Sequence, residues 1–181
     1  DEASVAVVTQ VFDALTNYPD GHPRVEPLLA SGYESNDDGT RFTFSLREAT
    51  FHDGSPVTAA DVVYSFERLA ASPNSSRASF LLDVLGVTHE TTTVTEDGAE
   101  REVYDPGTLG VRAVDERTVE ITLAAPFVAP LELLAFTAFS IVPEGIVGDI
   151  EGYEGRLSQE AFATRQPVGT GVHRLPDRRE E

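Results

Sequence analysis

The chain has 181 residues, of which 31 are acidic and 13 are basic, giving a formal net charge of −18 at pH 7. This length allows one domain, or two small ones, with a proper core. The charge argues against nucleic acid as a partner, because so acidic a chain is repelled by the phosphate backbone. No apolar run approaches the ~20 residues of a membrane-spanning helix. No signal peptide is recognisable, so we expect any such segment to lie outside this chain.

Several residue types are missing. Cysteine, methionine and tryptophan are absent, and all 13 basic residues are arginine. Disulfides, thiolate metal sites, cysteine nucleophiles and lysine Schiff bases are therefore excluded. An acid excess without lysine is typical of proteins that work in molar salt, where a Debye length of ~3 Å screens self-repulsion. A GC-rich genome also favours arginine, but it does not account for the acid excess, so we expect a halophilic source.

The first part of the chain predicts helices on either side of a strand. Apolar residues at helical spacing predict a helix over residues 4–15. Residues 41–46 alternate between apolar and polar, which indicates a half-buried strand. A capping-box pattern beginning at Thr58 predicts a helix over residues 58–69. A second, shorter helix is expected over residues 77–85.

The second part mixes strands and helices irregularly. Residues 88–110 show no apolar face and predict a long exposed insertion or loose ribbon. Residues 111–114 and 119–123 alternate around a polar turn and predict a β-hairpin. The apolar stretch 129–139 predicts a buried helix, and one more short helix is expected over residues 158–163. Strands and helices in this order favour a mixed α/β or α+β fold.

The polar residues by themselves define no catalytic centre, metal site or cofactor site. The four histidines lack the i+3 or i+4 spacing of a local zinc site; they are His22, His52, His89 and His173. His52 and Asp53 resemble a base with its orienting carboxylate, but adjacent side chains seldom face the same way, so a turn is the favoured interpretation. The segment 169–171, Gly-Thr-Gly, resembles a phosphate loop without its lysine and its following helix.

A dense motif runs through residues 29–69. It consists, in order, of an Asp-Asp-Gly turn, a strand, the sequence Phe-His-Asp-Gly at 51–54 and a capped helix. In this order and spacing it resembles the signature region of family 5 extracellular solute-binding proteins, the peptide- and nickel-binding components of ABC importers. Three more segments resemble the family: residues 11–15, the hairpin followed by residues 126–127, and residues 167–175. The resemblance covers nearly the whole chain.

The resemblance implies a mixed α/β fold of the class II periplasmic-binding-protein type. In this interpretation residues 1–181 form the N-terminal lobe of a two-lobed protein. An inserted subdomain is expected over about residues 35–165, and residues 166–181 are expected to lead toward the second lobe, which is missing here. Because the family's cleft lies between two lobes, we expect this chain alone to bind its ligand weakly.

The resemblance also implies the function. Family members capture oligopeptides, dipeptides or other small solutes outside the cell and deliver them to the membrane subunits of an ABC permease, without hydrolysing them. We therefore expect a non-enzymatic, monomeric, extracellular or periplasmic protein with no cofactor. The alternatives are capture of a nickel chelate or an oligosaccharide, and a sensory surface module. A hydrolase using scattered carboxylates with His52 is the least favoured alternative.

Four residues are candidates for the cleft wall. Phe80 occupies the position where relatives carry a pocket tyrosine or tryptophan, and it would offer a stacking face; the alternative is a plain core residue. Ala138 falls where nickel-chelate binders carry an arginine, and an alanine cannot pair a carboxylate, which favours peptides. Phe136 and Thr137 are further candidates. The signature residues His52, Asp53, Gly54 and Asp61 are expected to determine the fold rather than to bind ligand.

Overall fold

The computed structural model describes residues 8–19, 22–72, 77–96, 98–148 and 167–174. Within them, strands and helices follow one another without regular alternation, which confirms the mixed α/β class. The strands are β1 (Thr16–Asn17), β2 (Glu26–Pro27), β3 (Ala30–Ser35), β4 (Arg41–Leu46), β5 (Thr91–Glu96), β6 (Ala99–Tyr104), β7 (Val111–Asp115) and β8 (Thr118–Thr122). The helical elements are α1 (Ala59–Ala71), a π-helical turn (Phe80–Val84), α2 (Pro130–Leu134) and a 3₁₀ turn (Thr137–Phe139).

The central sheet is antiparallel and has the strand order β3-β4-β8-β7. The pairs Phe42–Ile121 and Phe44–Val119 face each other across β4 and β8, and all four side chains are buried. Alternation in β4 therefore follows from burial of one face, as predicted. The predicted hairpin is confirmed as β7 and β8, with its turn at Glu116–Arg117.

Helix α1 covers the central sheet beside β7 and β8. It begins where the capping-box pattern predicted, because the Thr58 backbone N–H donates to Asp61 Oδ2 over 2.7 Å. Its buried stripe includes Val62, Phe66 and Leu69. The Phe66 ring meets Phe139 edge to face, with 5.6 Å between the ring centroids, which joins the helix to the segment after α2.

The predicted helix over residues 4–15 is wrong at its C-terminal end. Among the described residues, the helical part is 8–11. The Leu15 carbonyl instead accepts hydrogen bonds from the backbone of Leu28 (2.9 Å) and Ala30 (3.1 Å), and Asp13 O accepts one from Ile141 N (2.9 Å). These distant backbone partners take the place of the hydrogen bonds that a longer helix would form, so apolar spacing alone overestimated the helix.

The predicted buried helix over residues 129–139 is also wrong, because it is broken in the middle. Helix α2 ends at Leu134, and Phe136 has an extended backbone with φ −71° and ψ 146° before the 3₁₀ turn. As a result Phe139 is buried while Phe136 is 53% exposed. The predicted short helix over residues 158–163 lies outside the described residues, and the predicted subdomain boundaries near residues 35 and 165 stay predictions.

Strands β5 and β6 form the ribbon that was predicted within residues 88–110, and the ribbon is regular rather than loose. Strands β5 and β6 pair in antiparallel register from Thr91–Tyr104 to Glu96–Ala99. The end of the ribbon is attached to α1, where the Tyr104 hydroxyl donates a short hydrogen bond to Glu67 Oε2. Burial, and then the Glu67 carboxylate, raises the pKa of Tyr104 well above its ordinary value of 10.0.

Tyr104→Phe is expected to lower the free energy of unfolding by about 1 kcal/mol at pH 7, because the hydrogen bond to Glu67 is lost. Because the pKa of Tyr104 is raised in the folded chain, the neutral hydroxyl stabilises the folded chain in full at pH values below the unfolded pKa of 10.0. This stabilisation disappears as the pH rises above that value. Urea unfolding should therefore show the advantage of the wild type shrinking between pH 9 and pH 11.

The matched control is Tyr18→Phe, since the Tyr18 side chain is 47% exposed and should tolerate loss of its hydroxyl at pH 7. A constant difference between the wild type and Tyr104→Phe across this pH range would contradict the role of the Tyr104 hydroxyl.

Candidate functional site

Two of the predicted cleft residues, Phe80 and Phe136, lie together in the structure. Their ring centroids are 6.1 Å apart and the rings are inclined by 45°. Phe136 is 53% exposed, and Phe80 is partly buried, with its inner side packed against the core. The structure therefore brings two aromatic rings from distant parts of the chain to one surface. Contact between this surface and a ligand stays a prediction.

The backbone around each ring explains its position at the surface. Phe80 opens the π-helical turn, in which Leu85 N donates to Phe80 O over 2.9 Å, and the buried Leu81 and Leu85 fix this turn in the core. π-helical turns occur frequently at functional sites. Phe136 lies at the interruption between α2 and the 3₁₀ turn, with Leu134 and Phe139 buried on either side of it. The broken helix thus leaves one ring at the surface between two anchored residues.

The other two predicted cleft residues are less exposed than Phe136. Thr137 begins the 3₁₀ turn and is partly buried, and its carbonyl accepts a hydrogen bond from Ser140 N (3.2 Å). Ala138 is also partly buried, and its methyl group packs against the core. Both follow Phe136 directly, and their contact with a ligand stays a prediction.

Arg77 adds a positive charge beside the aromatic pair. Its Cζ atom lies 5.1 Å from the centroid of the Phe80 ring, within the range of a cation–π interaction. The sequence reasoning did not assign Arg77 a role. The available signal was its spacing of three residues from Phe80 in a segment expected to be helical, since such residues lie on one face.

His52 contacts the chain near residue 170 rather than a neighbouring acid. Its Nε2 lies 2.7 Å from Gly171 O, and its backbone N–H donates to Gly169 O over 2.8 Å. Asp53 instead accepts from Ser55 Oγ (2.6 Å) and Ser55 N (2.9 Å). These hydrogen bonds from Ser55 lower the pKa of Asp53. His52 and Asp53 therefore contact different partners within the fold, and their lack of a ligand-binding role stays a prediction.

The glycines at 169 and 171 allow two backbone segments to approach closely. A Cβ atom on Gly169 would lie 2.0 Å from Val11 O, and one on Gly171 would lie 2.4 Å from Gln10 O. Thr170 Oγ1 donates to Asp13 Oδ2 over 2.9 Å. The Gly-Thr-Gly segment is thus a packing element that joins residues 10–13 to the Phe-His-Asp-Gly turn. In the part of the chain that the structure describes, no group of three or more His, Asp or Glu residues could hold a metal ion.

The fold belongs to the class II periplasmic-binding-protein type. A solved structure, the OppA of Listeria monocytogenes bound to peptide, superposes with a TM-score of 0.72 at 28% sequence identity, covering 98% of this chain and 32% of that chain. Residues 24–178 match the family model of bacterial extracellular solute-binding proteins, family 5 Middle. The chain belongs to this family of substrate-binding proteins, as the motif at residues 29–69 predicted.

Curated relatives support the same assignment. The periplasmic oligopeptide-binding protein OppA of Salmonella typhimurium is 39% identical over 129 residues, which cover 71% of this chain and 22% of that protein. The probable deoxycholate-binding periplasmic protein YgiS of Escherichia coli is 30% identical over 148 residues, which cover 81% of this chain and 26% of that protein. The chain thus spans about a quarter of the length of these relatives. No helix among the described residues is long and apolar enough to cross a membrane.

Proposed function

We propose that this chain forms one wall of the binding cleft of a peptide-capturing protein that serves an ABC importer. The observation that carries the proposal is the aromatic pair, with 6.1 Å between the Phe80 and Phe136 centroids. A pair of aromatic rings of which Phe136 is exposed and Phe80 is partly buried, fixed by buried neighbours, offers the stacking area that ligand sites use. Membership of a solute-binding family supports the proposal that this surface is a cleft wall.

Peptide is the cargo class that this surface favours. Apolar side chains of a peptide can pack on the two rings, while an uncharged Ala138 offers nothing to the carboxylates of a nickel chelate. The relative named as oligopeptide-binding also has higher sequence identity than the one named as deoxycholate-binding, 39% against 30%. Nickel chelates, oligosaccharides and bile acids are therefore competing cargoes for the binding test.

The proposal extends to location and chemistry. We place the protein outside the cell or in the periplasm, as a monomer that delivers its cargo to permease subunits without chemical turnover. The contacts of His52 support the absence of turnover. Its ring contacts Gly171 O and its backbone N–H donates to Gly169 O, while Asp53 does not contact the ring as an orienting carboxylate would. A sensory module with the same cleft would bind peptide equally, and reconstitution with the permease separates the two roles.

The test is calorimetric titration of the protein, at the full length its gene encodes, in 2 M KCl. The probes are a tetrapeptide mixture, nickel–histidine, a maltotriose standard and deoxycholate. We expect binding of the peptides, and Phe136→Ala should weaken it about tenfold through loss of aromatic contact area. The unfolding free energy should stay unchanged, because Phe136 is 53% exposed.

The matched control is Val128→Ala, since Val128 is an apolar residue that is fully exposed in the loop before α2. It should leave peptide affinity unchanged. If another probe bound and the peptides did not, the assignment of peptide as the cargo would be wrong. If the wild type and Phe136→Ala bound peptide with equal affinity, the aromatic pair would not be part of the cleft.

We also propose that the protein works in molar salt. Two like charges ~10 Å apart repel by about 0.4 kcal/mol in water, and molar salt screens this repulsion. With a net charge of −18, about five such pairs would lower the unfolding free energy by about 2 kcal/mol when KCl falls from 2 M to 0.1 M. Urea titrations at the two salt concentrations measure this loss.

The control is a triple variant in which Glu34, Glu100 and Glu102 become glutamine; all three are exposed. Removing charge should reduce the salt dependence of the unfolding free energy. The same salt dependence in both proteins would show that charge repulsion is not its cause.

A further inference from the structure

A valine at the end of the π-helical turn adds an exposed apolar group near the aromatic pair. Val84 is the last residue of the turn that Phe80 begins, and its side chain is 46% exposed. The turn is held by the hydrogen bond from Leu85 N to Phe80 O, over 2.9 Å. The same turn therefore fixes both Phe80 and Val84 at the surface.

The burial of the neighbouring leucines shows that Val84 and Phe80 share one side of this segment. Leu81 and Leu85 are both buried, and they lie four residues apart, so both face the core from successive helical turns. Phe80 and Val84 each precede one of these leucines by one residue. They therefore lie on a common side of the segment, one turn apart, where side chains are neighbours with about 5–6 Å between their Cβ atoms.

Three apolar side chains thus adjoin one another at the surface. The Phe136 ring is exposed, and its centroid lies 6.1 Å from that of Phe80. Arg77, three residues before Phe80, lies over the Phe80 ring, with its Cζ atom 5.1 Å from the ring centroid. The surface that an apolar ligand can use therefore extends from Phe80 toward Phe136 and toward Val84. These three residues, Phe136, Phe80 and Val84, are named here the apolar surface.

The apolar surface is wide enough for two side chains of an extended peptide. In an extended chain the side chains of residues i and i+2 point to the same side and are about 6.6 Å apart. This spacing is close to the 6.1 Å between the Phe136 and Phe80 centroids. One apolar side chain can thus contact Phe136 while the next one contacts Phe80 and Val84. Side chains of adjacent residues point to opposite sides, so only one of them can reach the surface.

We propose that Val84 is a further specificity-determining residue, and that the preferred cargo is an extended peptide with apolar residues at positions i and i+2. This inference rests on the proposed function of peptide capture. Val84 widens the aromatic pair so that it receives the second apolar side chain. Burial of apolar area is not screened by salt as charge contacts are, so this form of recognition is compatible with a net charge of −18 and molar KCl.

The test compares two peptides of equal composition by calorimetry, on the protein at the full length its gene encodes, in 2 M KCl. The alternate peptide is Ala-Phe-Ala-Leu-Ala, and the adjacent peptide is Ala-Phe-Leu-Ala-Ala. The wild type should bind the alternate peptide about fivefold more tightly, because only this peptide buries both apolar side chains on the same surface. Net charge, length and total apolar area are the same in the two peptides.

Val84→Ala should reduce this ratio of affinities from about five to about two, because the second apolar side chain loses part of its contact area. Val84→Ile keeps an apolar side chain of at least the same size and should retain the full ratio. The matched control is Val114→Ala, since Val114 is a valine of similar exposure, 48%, on the edge strand β7. It should leave the ratio unchanged.

A wild type that binds both peptides with equal affinity, or the adjacent peptide more tightly, overturns the inference. A ratio that Val84→Ala leaves unchanged overturns it too, since Val84 would then not contact the second side chain. In these cases the wild type still binds peptide, so the proposed function stands. A wild type that binds neither peptide overturns the proposed function together with the inference. Urea unfolding of each variant, expected to match the wild type, verifies that the affinities compare folded proteins.

Discussion

Replacing Asp61 by alanine is expected to lower the free energy of unfolding by about 3 kcal/mol. The carboxylate is buried and 6% exposed. Its Oδ2 accepts from Thr58 N (2.7 Å) and Thr58 Oγ1 (2.8 Å), and its Oδ1 accepts from Glu144 N (2.8 Å). Alanine removes the helix cap of α1 and also leaves the Glu144 N–H without its acceptor. Urea unfolding in 2 M KCl measures the effect.

Asp53→Ala is the matched control for this substitution. Asp53 accepts two hydrogen bonds from Ser55, at 2.6 and 2.9 Å, but it is exposed, so water can replace the lost acceptor. We expect a loss of about 1 kcal/mol or less. Equal losses in Asp61→Ala and Asp53→Ala would show that burial and the link to Glu144 do not matter.

Replacing Gly169 by alanine is expected to cost about 3 kcal/mol or more. The new Cβ atom would lie 2.0 Å from Val11 O and 2.8 Å from Phe12 Cδ1. A backbone carbonyl cannot yield as a flexible side chain can, so the two segments must separate. Separation also strains the hydrogen bonds from His52 N to Gly169 O (2.8 Å) and from Gly171 N to Val11 O (2.9 Å). Thermal and urea unfolding measure the cost.

Gly32→Ala is the control for the general effect of replacing a glycine by alanine, without a steric clash. Nothing lies within 4 Å of the position where its Cβ atom would be built, and Gly32 is part of strand β3. An alanine here should change stability by no more than about 0.5 kcal/mol, and in the stabilising direction. A Gly169→Ala variant as stable as Gly32→Ala would contradict the close approach of the two segments.

Buried polar side chains of α1 hold the segment next to the candidate binding surface in place. Val142 N donates to Ser65 Oγ (2.9 Å), and Val147 N donates to the Tyr64 hydroxyl (3.0 Å). These bonds, with that to Asp61, fix the segment that directly follows the 3₁₀ turn. Because Phe136 precedes this turn, we expect the position of its ring to depend on the same contacts. Asp61→Ala should thus weaken peptide binding in the full-length protein as well.

Local patterns were sufficient for the central elements of the fold. Burial of one sheet face requires alternation at every second residue, so β4 at Arg41–Leu46 was predicted with its observed bounds. The capping pattern at Thr58 marked the start of α1, because the groups that satisfy a helix N-terminus lie within four residues of it. The spaced motif at residues 29–69 was specific enough to identify the family.

Long-range contacts decided the rest. The first helix ends early because Asp13 O and Leu15 O bind backbone groups of Ile141, Leu28 and Ala30. The apolar stretch at 129–139 contains no local signal for the break that exposes Phe136.

The sequence by itself thus determined the family, strands β4, β7 and β8 of the central sheet, and the main helix. The signals for these strands and this helix lie within a few residues of each other. The tertiary structure alone brought Arg77, Phe80 and Phe136 to one surface. It alone also showed that Gly169 meets Val11. The physical reason is that backbone hydrogen bonds and ring contacts between distant segments compete with local preferences, and residue spacing within one segment carries no information about such partners.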